Sequence, residues 1–275
     1  MIKQKGSILI LILWVLIILS LLSIAISYRA SGDIKLAKYE SENIKALYLA
    51  KAGITKMTAE LNKDDKSYTS LNGEWAKEKE FSFGGGKVIY RAYDEEARFN
   101  LNNPNLRKEH LIKLGLDDKL LDYKTQKGEK GFEFMEELFL IGGITKDIYS
   151  SMKDYVTIYR GNSPKININT ASESVLNIAL DDYSIIQKII EFRNGNDGKS
   201  GTKDDGIFNE ADFSIIFKDF GVTPADLLNY QSVFSVKSIF FRITADVSFS
   251  EDKKIIKQVT AVIDRNGKIY YWKEE

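Results

Sequence analysis

Residues 3–28 read KQKGSILILILWVLIILSLLSIAISY, and this stretch decides the architecture of the chain. Two lysines precede an apolar run that meets no charged residue before Arg29. A helix needs about 20 apolar residues to cross the hydrocarbon core of a bilayer, so the run predicts a membrane-spanning helix. Because the basic residues come first, we expect a short cytoplasmic N-terminus, with the rest of the chain beyond the membrane.

Three interpretations fit the apolar run. A secretory signal peptide has a shorter apolar core and a small-x-small cleavage site, whereas this run is long and ends in SYRASG at residues 27–32. A plain single-span anchor fits the length equally well. The third interpretation depends on Gly6, because KQKG before a wholly apolar helix resembles the leader of type IV pilins and pseudopilins. In those proteins a prepilin peptidase cuts after this glycine, which would leave Ser7 as the new N-terminus.

The helical pattern continues beyond the apolar run. No proline occurs between Lys3 and Asn103, and apolar residues recur at spacings of three, four and seven, namely Ile44, Leu47, Ile54, Met57 and Leu61. Such a stripe on a polar helix predicts a face that packs on a soluble domain. A helix over 7–62 would be about 80 Å long, with its first half in lipid. This plan is that of pilins and favours the pilin interpretation over the plain anchor.

Composition excludes several classes of function. The formal net charge is zero, so the charge balance gives no reason to expect nucleic acid as a partner. The chain has no cysteine, which excludes disulfides and thiolate metal sites. His110 is its one histidine, and we expect it to be hydrogen-bonded or solvent-facing rather than catalytic, because no nucleophile is paired with a base. We therefore predict that the protein is not an enzyme.

Alternating apolar and polar residues predict strands in two separate parts of the chain. A hairpin is expected at 81–92 around three glycines, and further strands at 239–249, 259–264 and 269–272. Asn266-Gly267 is a strong turn signal between the last two. One antiparallel sheet is therefore split in sequence by a long insertion.

The insertion, about residues 100–230, carries helix signals. We expect helices to begin at Asn103-Pro104, at the capping box of residues 170–173 and at Thr223-Pro224. Helical apolar spacing occurs at 132–141, 146–157, 173–180, 184–193 and 210–220. The pattern predicts a compact all-α domain whose two ends lie close together, because they return to neighbouring strands.

Four short motifs carry a specific resemblance. They are DEEARFNLN at 94–102, EELFLIGGIT at 136–145, YVTIY at 155–159 and KININTA at 165–171. In this combination the chain resembles the minor pseudopilin K family of type II secretion systems over nearly its whole length. The resemblance implies an α+β fold, in which a pilin-like long N-terminal helix packs on an antiparallel sheet and a large all-α domain is inserted between strands.

The resemblance also implies a domain plan and a role. The plan is a leader at 1–6, a transmembrane part at 7–28, a pilin-like domain at 29–99 and 231–275, and an insertion at 100–230 with a helix-hairpin-helix (SAM-like) element. The role is a methylated tip subunit of the periplasmic pseudopilus, anchored in the inner membrane, which starts or caps the pseudopilus for protein export. Its partners would be minor pseudopilins I and J, other pseudopilins and the prepilin peptidase, with exported proteins as a further candidate.

Leu11 agrees with a tip position. It is the fifth residue counted from Ser7, where most pilins and pseudopilins carry a glutamate. A carboxylate in lipid is costly unless a cation neutralises it, and in a pilin fibre that cation is the N-terminal amine of a neighbouring subunit. A first subunit has no such neighbour, so leucine is favourable there. An anchor that never polymerises would explain Leu11 equally well.

The helix-hairpin-helix resemblance raises nucleic acid as an alternative ligand. DNA-binding versions present a glycine hairpin to phosphate, whereas here the hairpin at 180–183 is Leu-Asp-Asp-Tyr. Two carboxylates repel phosphate, so we expect a structural or protein-binding element and no nucleic acid.

The stretch NGNDGKSGTKDDG at 194–206 is the candidate metal site. Its glycines favour tight turns, and its carboxylates and amides are hard oxygen ligands that suit calcium, although the spacing is not that of an EF-hand. An acidic solvated loop is the alternative. Members of the family that the chain resembles carry calcium in this domain, which implies the ligands Asp197, Asp204 and Asp205, with Asn209 and Asp212 as further candidates.

Three functions therefore remain open: a pseudopilus tip subunit, a minor pilin of a type IV or DNA-uptake pilus, and a solitary membrane-anchored periplasmic interaction module. The insertion motifs together fit the first of these.

Overall fold

A computed structural model of the protein describes residues 5–64, 66–159, 164–249 and 255–275. Of the expected leader, residues 1–4 lie outside the described part. The α-helices are α1 (Lys5–Lys63), α2 (Lys108–Lys113), α3 (Lys119–Lys127), α4 (Lys146–Met152), α5 (Glu173–Ala179), α6 (Tyr183–Asn194), α7 (Phe213–Asp219) and α8 (Pro224–Val233). The strands are β1 (Lys79–Phe83), β2 (Gly86–Asp94), β3 (Phe99–Asn100), β4 (Val156–Thr157), β5 (Ile166–Asn167), β6 (Phe234–Ser235), β7 (Phe240–Ser248), β8 (Lys257–Asp264) and β9 (Ile269–Glu274).

Helix α1 is unbroken over 59 residues, as the sequence predicts. All residues over 8–41 are exposed, and burial begins only at Ala46. One face then packs on β2, β7 and β8. Its buried side chains are small at first and larger further along, namely Ala46, Ala50, Ile54, Met57 and Leu61.

The expected apolar stripe of α1 is wrong at its N-terminal end. Ile44 is 54% exposed and Leu47 is only half-buried. Ala46 and Ala50 take the inward positions because the helix lies very close to the sheet. A Cβ atom on Gly53 would come within 3.1 Å of the Val88 side chain. Ile44 therefore points away from the core.

Within the described ranges the main sheet has five strands in the order β1-β2-β7-β8-β9, and every neighbouring pair is antiparallel. The predicted split is confirmed, since β2 pairs directly with β7 and Asp94 lies opposite Phe241. The first hairpin turns at Gly84 and Gly85, both with positive φ, and the last turns at Gly267 with φ +85°. Positive φ is a conformation that glycine adopts without steric cost, which is why these turns form here.

The insertion is mainly helical, and two parallel pairs of two-residue strands accompany the helices: β3 with β4, and β5 with β6. The helix start predicted at Asn103-Pro104 is wrong. The Asn103 side chain accepts a hydrogen bond from the backbone of Asn105, which holds a turn, and α2 begins at Lys108. The segment expected to be helical at 132–141 forms a 3-10 helix over Met135–Leu140.

The insertion contains two copies of one structural unit, which the sequence analysis missed. Each unit begins with a strand in an Asn-x-Asn motif and ends with a strand that pairs parallel to it. The first unit runs from Phe99 to Thr157 and the second from Ile166 to Ser235. Their registers correspond, because Leu101 N donates to Thr157 O at 2.8 Å and Ile168 N donates to Ser235 O at 3.0 Å.

The second asparagine of each motif holds its unit together in the same way. Asn102 exchanges two hydrogen bonds with the backbone of Phe132, of 2.9 and 2.7 Å. Asn169 exchanges two with the backbone of Phe208, of 2.9 and 2.8 Å. Each unit then reaches a glycine with positive φ and a threonine that caps a helix, Thr145 for α4 and Thr223 for α8. Buried asparagines satisfied by backbone groups fix these loops, since an unpaired buried amide would cost free energy.

The residues that the structure describes form two hydrophobic cores. One lies between α1 and the inner face of the sheet, and the other lies within the insertion. Phe240 and Val262 of the sheet belong to the second core, and Tyr271 packs against it. The insertion is therefore seated on the outer face of the sheet by apolar contact.

Candidate functional sites: the apolar helix, the Asp-rich loop and the domain joint

The N-terminal half of α1 is an exposed apolar rod. By length and composition α1 is the one helix in the described residues that could cross a membrane, and none of its most apolar part is buried. Leu11 is 65% exposed on this rod. Gly6 and Ser7 lie in the first turn of α1. Cleavage between them stays a prediction.

The Asp-rich loop follows α6 and is tied together by its own carboxylates. Asp204 accepts hydrogen bonds from the backbone of Asn196 at 2.8 Å and of Asp197 at 3.0 Å. Gly195 makes this closure possible, because it has φ +59° and a Cβ there would lie 2.4 Å from the Asp204 carbonyl oxygen. The Thr202 hydroxyl and these backbone donors lower the pKa of Asp204, so it is ionised at neutral pH.

Asp205 occupies the same loop and faces the same threonine. Its carboxylate accepts from the backbone of Gly201 at 2.7 Å and of Thr202 at 3.1 Å. The Thr202 hydroxyl lies 2.8 Å from Asp204 Oδ1 and 2.9 Å from Asp205 Oδ1. The structure thus brings these two predicted ligands together around one hydroxyl group.

The other predicted ligands are placed differently. The Asp197 carboxylate accepts from the backbone of Lys199 at 2.8 Å, and Asn209 and Asp212 bond to each other before α7. In the described ranges no group of three or more His, Cys, Asp or Glu side chains is arranged to hold a metal. The donors are hard oxygens of the kind that calcium takes. Calcium binding stays a prediction, centred on Asp204 and Asp205.

A buried arginine lies next to this loop. Arg193, at the end of α6, is only 5% exposed, and its Nη1 donates to the Ala171 carbonyl at 2.6 Å. Its Nε has no hydrogen-bond partner within the described part of the chain. Burial lowers the pKa of Arg193 to about 10, and the charge of Asp205 partly opposes that shift. The acidic loop therefore offsets a buried positive charge, a role that the sequence pattern did not reveal.

The joint between sheet and insertion is built on Asp94, which is buried. Its carboxylate accepts from the Ser238 hydroxyl at 2.7 Å, the Thr170 hydroxyl at 2.5 Å, the Asn167 amide at 2.9 Å and the Glu96 backbone at 2.9 Å. Burial raises the pKa of Asp94 despite these donors. One side chain therefore ties the end of β2 to the second unit and to the returning chain.

The next two residues complete the joint. Glu95 is fully buried and receives a two-point contact from Arg242, at 2.8 and 3.0 Å, with Arg98 at 2.9 Å. Burial alone would raise the pKa of Glu95, but the two arginines outweigh it and hold that pKa below its usual value. Glu96 accepts from the backbone of Ile239 and Phe240. Burial, followed by the charge of Asp94, raises the pKa of Glu96 to about 8.

His110 has a structural environment. It is 8% exposed, its Nδ1 accepts a hydrogen bond from the Arg107 backbone at 3.1 Å, and its ring lies 4.9 Å from that of Phe99. Burial lowers its pKa, so it is neutral at pH 7. The histidine is thus one of the hydrogen-bonded kind that the sequence analysis expected.

Comparison with known proteins bears on the fold. No protein-family model and no curated protein matches the chain. A chain of the crystal structure of the GspK-GspI-GspJ complex from the type 2 secretion system of enterotoxigenic Escherichia coli matches with a TM-score of 0.59 and 15% sequence identity. The match covers 90% of this chain and 99% of that one. The chain therefore has the fold of a subunit of that complex, and its resemblance to the minor pseudopilin K family extends from short motifs to the three-dimensional structure.

Proposed function

We propose that this chain is a K-type minor pseudopilin of a type II secretion system. The observation that carries the proposal is the combination of one exposed apolar helix with a sheet interrupted by a large insertion, a fold shared with a chain of the GspK-GspI-GspJ complex. In this role α1 anchors the protein in the inner membrane, with the N-terminus in the cytoplasm and both domains in the periplasm. The role is one of assembly, without catalysis.

The proposal places the chain at the tip of the pseudopilus, where it starts or caps assembly. An insertion of about 130 residues has the size of a whole domain, and repeated along a tightly packed fibre it would collide with the subunit above. At the tip no subunit lies above it. Leu11 supports the same position, because a first subunit needs no carboxylate to meet a neighbour's amine.

The partners follow from the same proposal. The matched crystal structure holds GspK together with GspI and GspJ, so the expected partners here are the minor pseudopilins I and J of the same system. Calcium held by the Asp-rich loop is also part of the proposal, with Asp204 and Asp205 as its first ligands and Asp197, Asn209 and Asp212 as further candidates.

Reconstitution tests the proposal. Periplasmic fragments of this chain and of candidate I and J proteins should form a stable complex with one copy of each, measured by size-exclusion chromatography with light scattering. Fibres of this chain alone would support a pilus subunit instead. Indifference to both partners would contradict the proposal and favour a solitary anchored module.

A further inference from the structure

Beyond Ser41 one face of helix α1 packs on its own domain and the opposite face does not, whereas over 8–41 the whole helix is exposed. Opposite the buried Ala46 and Ala50 lies a row of outward-facing residues in the part of the helix beyond the apolar run. We name this row the outer seam, and it consists of Ala30, Ile34, Ala37, Ser41, Ile44 and Tyr48. Ile34, Ile44 and Tyr48 are 69%, 54% and 67% exposed, so the described part of the chain leaves these large apolar side chains of the row uncovered.

The spacing of the outer seam is that of a coiled coil. Its members alternate at intervals of four and three residues, the heptad positions d and a in turn. A straight helix drifts by about 20° per heptad relative to this repeat, so the row winds slowly around α1 in the sense of a left-handed supercoil. A row with this winding fits another helix that runs alongside, better than it fits a sheet or a globular surface.

The row continues without a break into the apolar run. Ser27, Ser23 and Ser20 extend it at intervals of three, four and three residues, and all three are exposed. Small residues on one face of a membrane helix allow close approach of a second helix. A partner that follows the whole row therefore emerges from the same membrane and runs parallel to α1.

The charges beside the outer seam identify the partner. One flank carries Asp33 and Glu40, at heptad position g, and the other carries Lys38 and Lys45, at position e. In a parallel pair, position g of one helix meets position e of the next heptad in its partner. In a pair of two copies of this chain, Asp33 of one copy would face Lys38 of the other, and Glu40 would face Lys45. These contacts occur on both flanks of the pair, and each of them is attractive.

Among the described residues, few contacts compete for these charges. Lys38 has an ion pair with Glu42 at 3.9 Å, and both side chains are well exposed, so that contact is weak. Two copies in one membrane are held parallel and in register by their anchors, which reduces the entropy lost on pairing.

We propose that the outer seam is a self-association surface, through which two membrane-anchored copies form a parallel helical pair above the bilayer. The proposal goes beyond the role in the pseudopilus, since it requires only the anchor and the charges on α1. It describes the subunit before assembly, and a partner helix in the pseudopilus would replace one copy of the pair.

Cysteine crosslinking in membranes tests the pair, because the full chain contains no cysteine. The variants Ala37→Cys and Ser41→Cys place a thiol on the outer seam, whereas Lys35→Cys and Tyr39→Cys place one at the same depth on the opposite face. The chain is expressed without other pseudopilins and treated with a mild oxidant. Seam thiols should give a disulfide dimer at several times the yield of the control thiols, because a disulfide needs Cβ atoms about 4 Å apart. Equal yields at all four positions would overturn the proposal.

A charge reversal separates self-pairing from other contacts. Glu40→Lys, made in the Ala37→Cys chain, faces Lys45 of the other copy with a like charge and should lower the dimer yield about fivefold. Adding Lys45→Glu restores attraction on both sides and should recover the original yield. Failure to recover it would overturn the proposal. So would seam thiols that give no disulfide dimer when the chain is expressed alone, an outcome that leaves the pseudopilus role intact.

Discussion

The hydroxyl of Ser238 donates a 2.7 Å hydrogen bond to the carboxylate of Asp94, across 144 positions of sequence. It joins the residue at which the chain leaves the main sheet to the segment on which it returns. Asp94 also bonds to Asn167 and Thr170, so its single carboxylate connects the sheet to the second unit of the insertion. The orientation of the insertion on the sheet therefore depends on a buried polar contact as well as on apolar packing.

Replacing Asp94 with alanine should destabilise the protein strongly. The change leaves the buried Asn167 amide without one of its acceptors and removes the contact with two hydroxyl groups. We expect the free energy of unfolding to fall by about 3 kcal/mol, because each buried donor left unpaired costs about 1–3 kcal/mol. Urea denaturation of a soluble fragment that begins near Asp33 measures the effect.

The matched control for that measurement is Asp154→Ala, which removes an exposed carboxylate. It should change stability by less than about 0.5 kcal/mol. Equal effects of the two substitutions would show that the Asp94 contacts contribute little.

Glu96 should make the stability of the joint depend on pH. Its pKa is raised from 4.5 to about 8 in the folded state, chiefly by burial. Between these values the unfolded chain has released a proton that the folded chain still holds, so the free energy of unfolding falls as pH rises. The full shift corresponds to about 5 kcal/mol, but Glu96 is only partly buried and solvent screens part of it. The decline should therefore be on the order of 2 kcal/mol and should level off above pH 8.

The variant Glu96→Gln cannot titrate and keeps a carbonyl oxygen for the backbone of Ile239 and Phe240. Stability measured from pH 5 to 9 should therefore decline less in this variant than in the parent protein. Glu210→Gln, at an exposed carboxyl, should follow the parent curve. Parallel curves for all three proteins would contradict the assignment of the pH dependence to Glu96.

The elements predicted correctly are those with local signals. The length of α1, the turn at Asn266-Gly267 and the helix cap Thr223 each depend on neighbours within a few residues, and the structure confirms them. The capping box expected at 170–173 is displaced, because Ser172 caps α5 while the Thr170 hydroxyl donates to Asp94. The helix expected to begin at Asn103-Pro104 does not form, because a turn closed by the Asn103 side chain takes the position of its first turn.

The side-chain contacts of the joint between sheet and insertion could not be predicted from the sequence in the same way. The partners of Asp94 come from parts of the chain that meet only after the sheet has closed around the insertion, so no local spacing reveals them. The duplication had a faint signal in FNLN at 99–102 and ININ at 166–169. The structure shows that the two motifs are equivalent, because the Asn102 amide donates to the backbone oxygen of Phe132 and the Asn169 amide donates in the same way to that of Phe208.

Processing at Gly6 is the prediction that separates a pseudopilin from a plain anchor. In cells with an active prepilin peptidase, intact-mass analysis of the membrane-extracted protein should show a chain that begins at Ser7. The variant Gly6→Val should retain the leader, because a branched side chain replaces the glycine that the peptidase recognises in pilin-like leaders. Ser7→Ala, on the other side of the bond, is the control and should still be cut. A parent protein that keeps Met1 would contradict the pseudopilin role.

Calcium should raise the melting temperature of the soluble fragment if the Asp-rich loop binds it. A ligand bound only by the folded state stabilises that state by mass action, by about 2.7 kcal/mol at a hundred times its dissociation constant. For a domain of this size the gain corresponds to a rise of about 5–10 °C.

Replacing Asp204 and Asp205 together with alanine should abolish the rise. The double variant will also melt lower without calcium, because the backbone of Asn196 and Gly201 loses its acceptors, so the measured quantity is the shift on adding calcium. Asp219→Ala, an exposed carboxylate outside the loop, should keep the full shift. If the parent fragment shows no shift, the loop carboxylates serve only to close the loop and to offset the buried charge of Arg193.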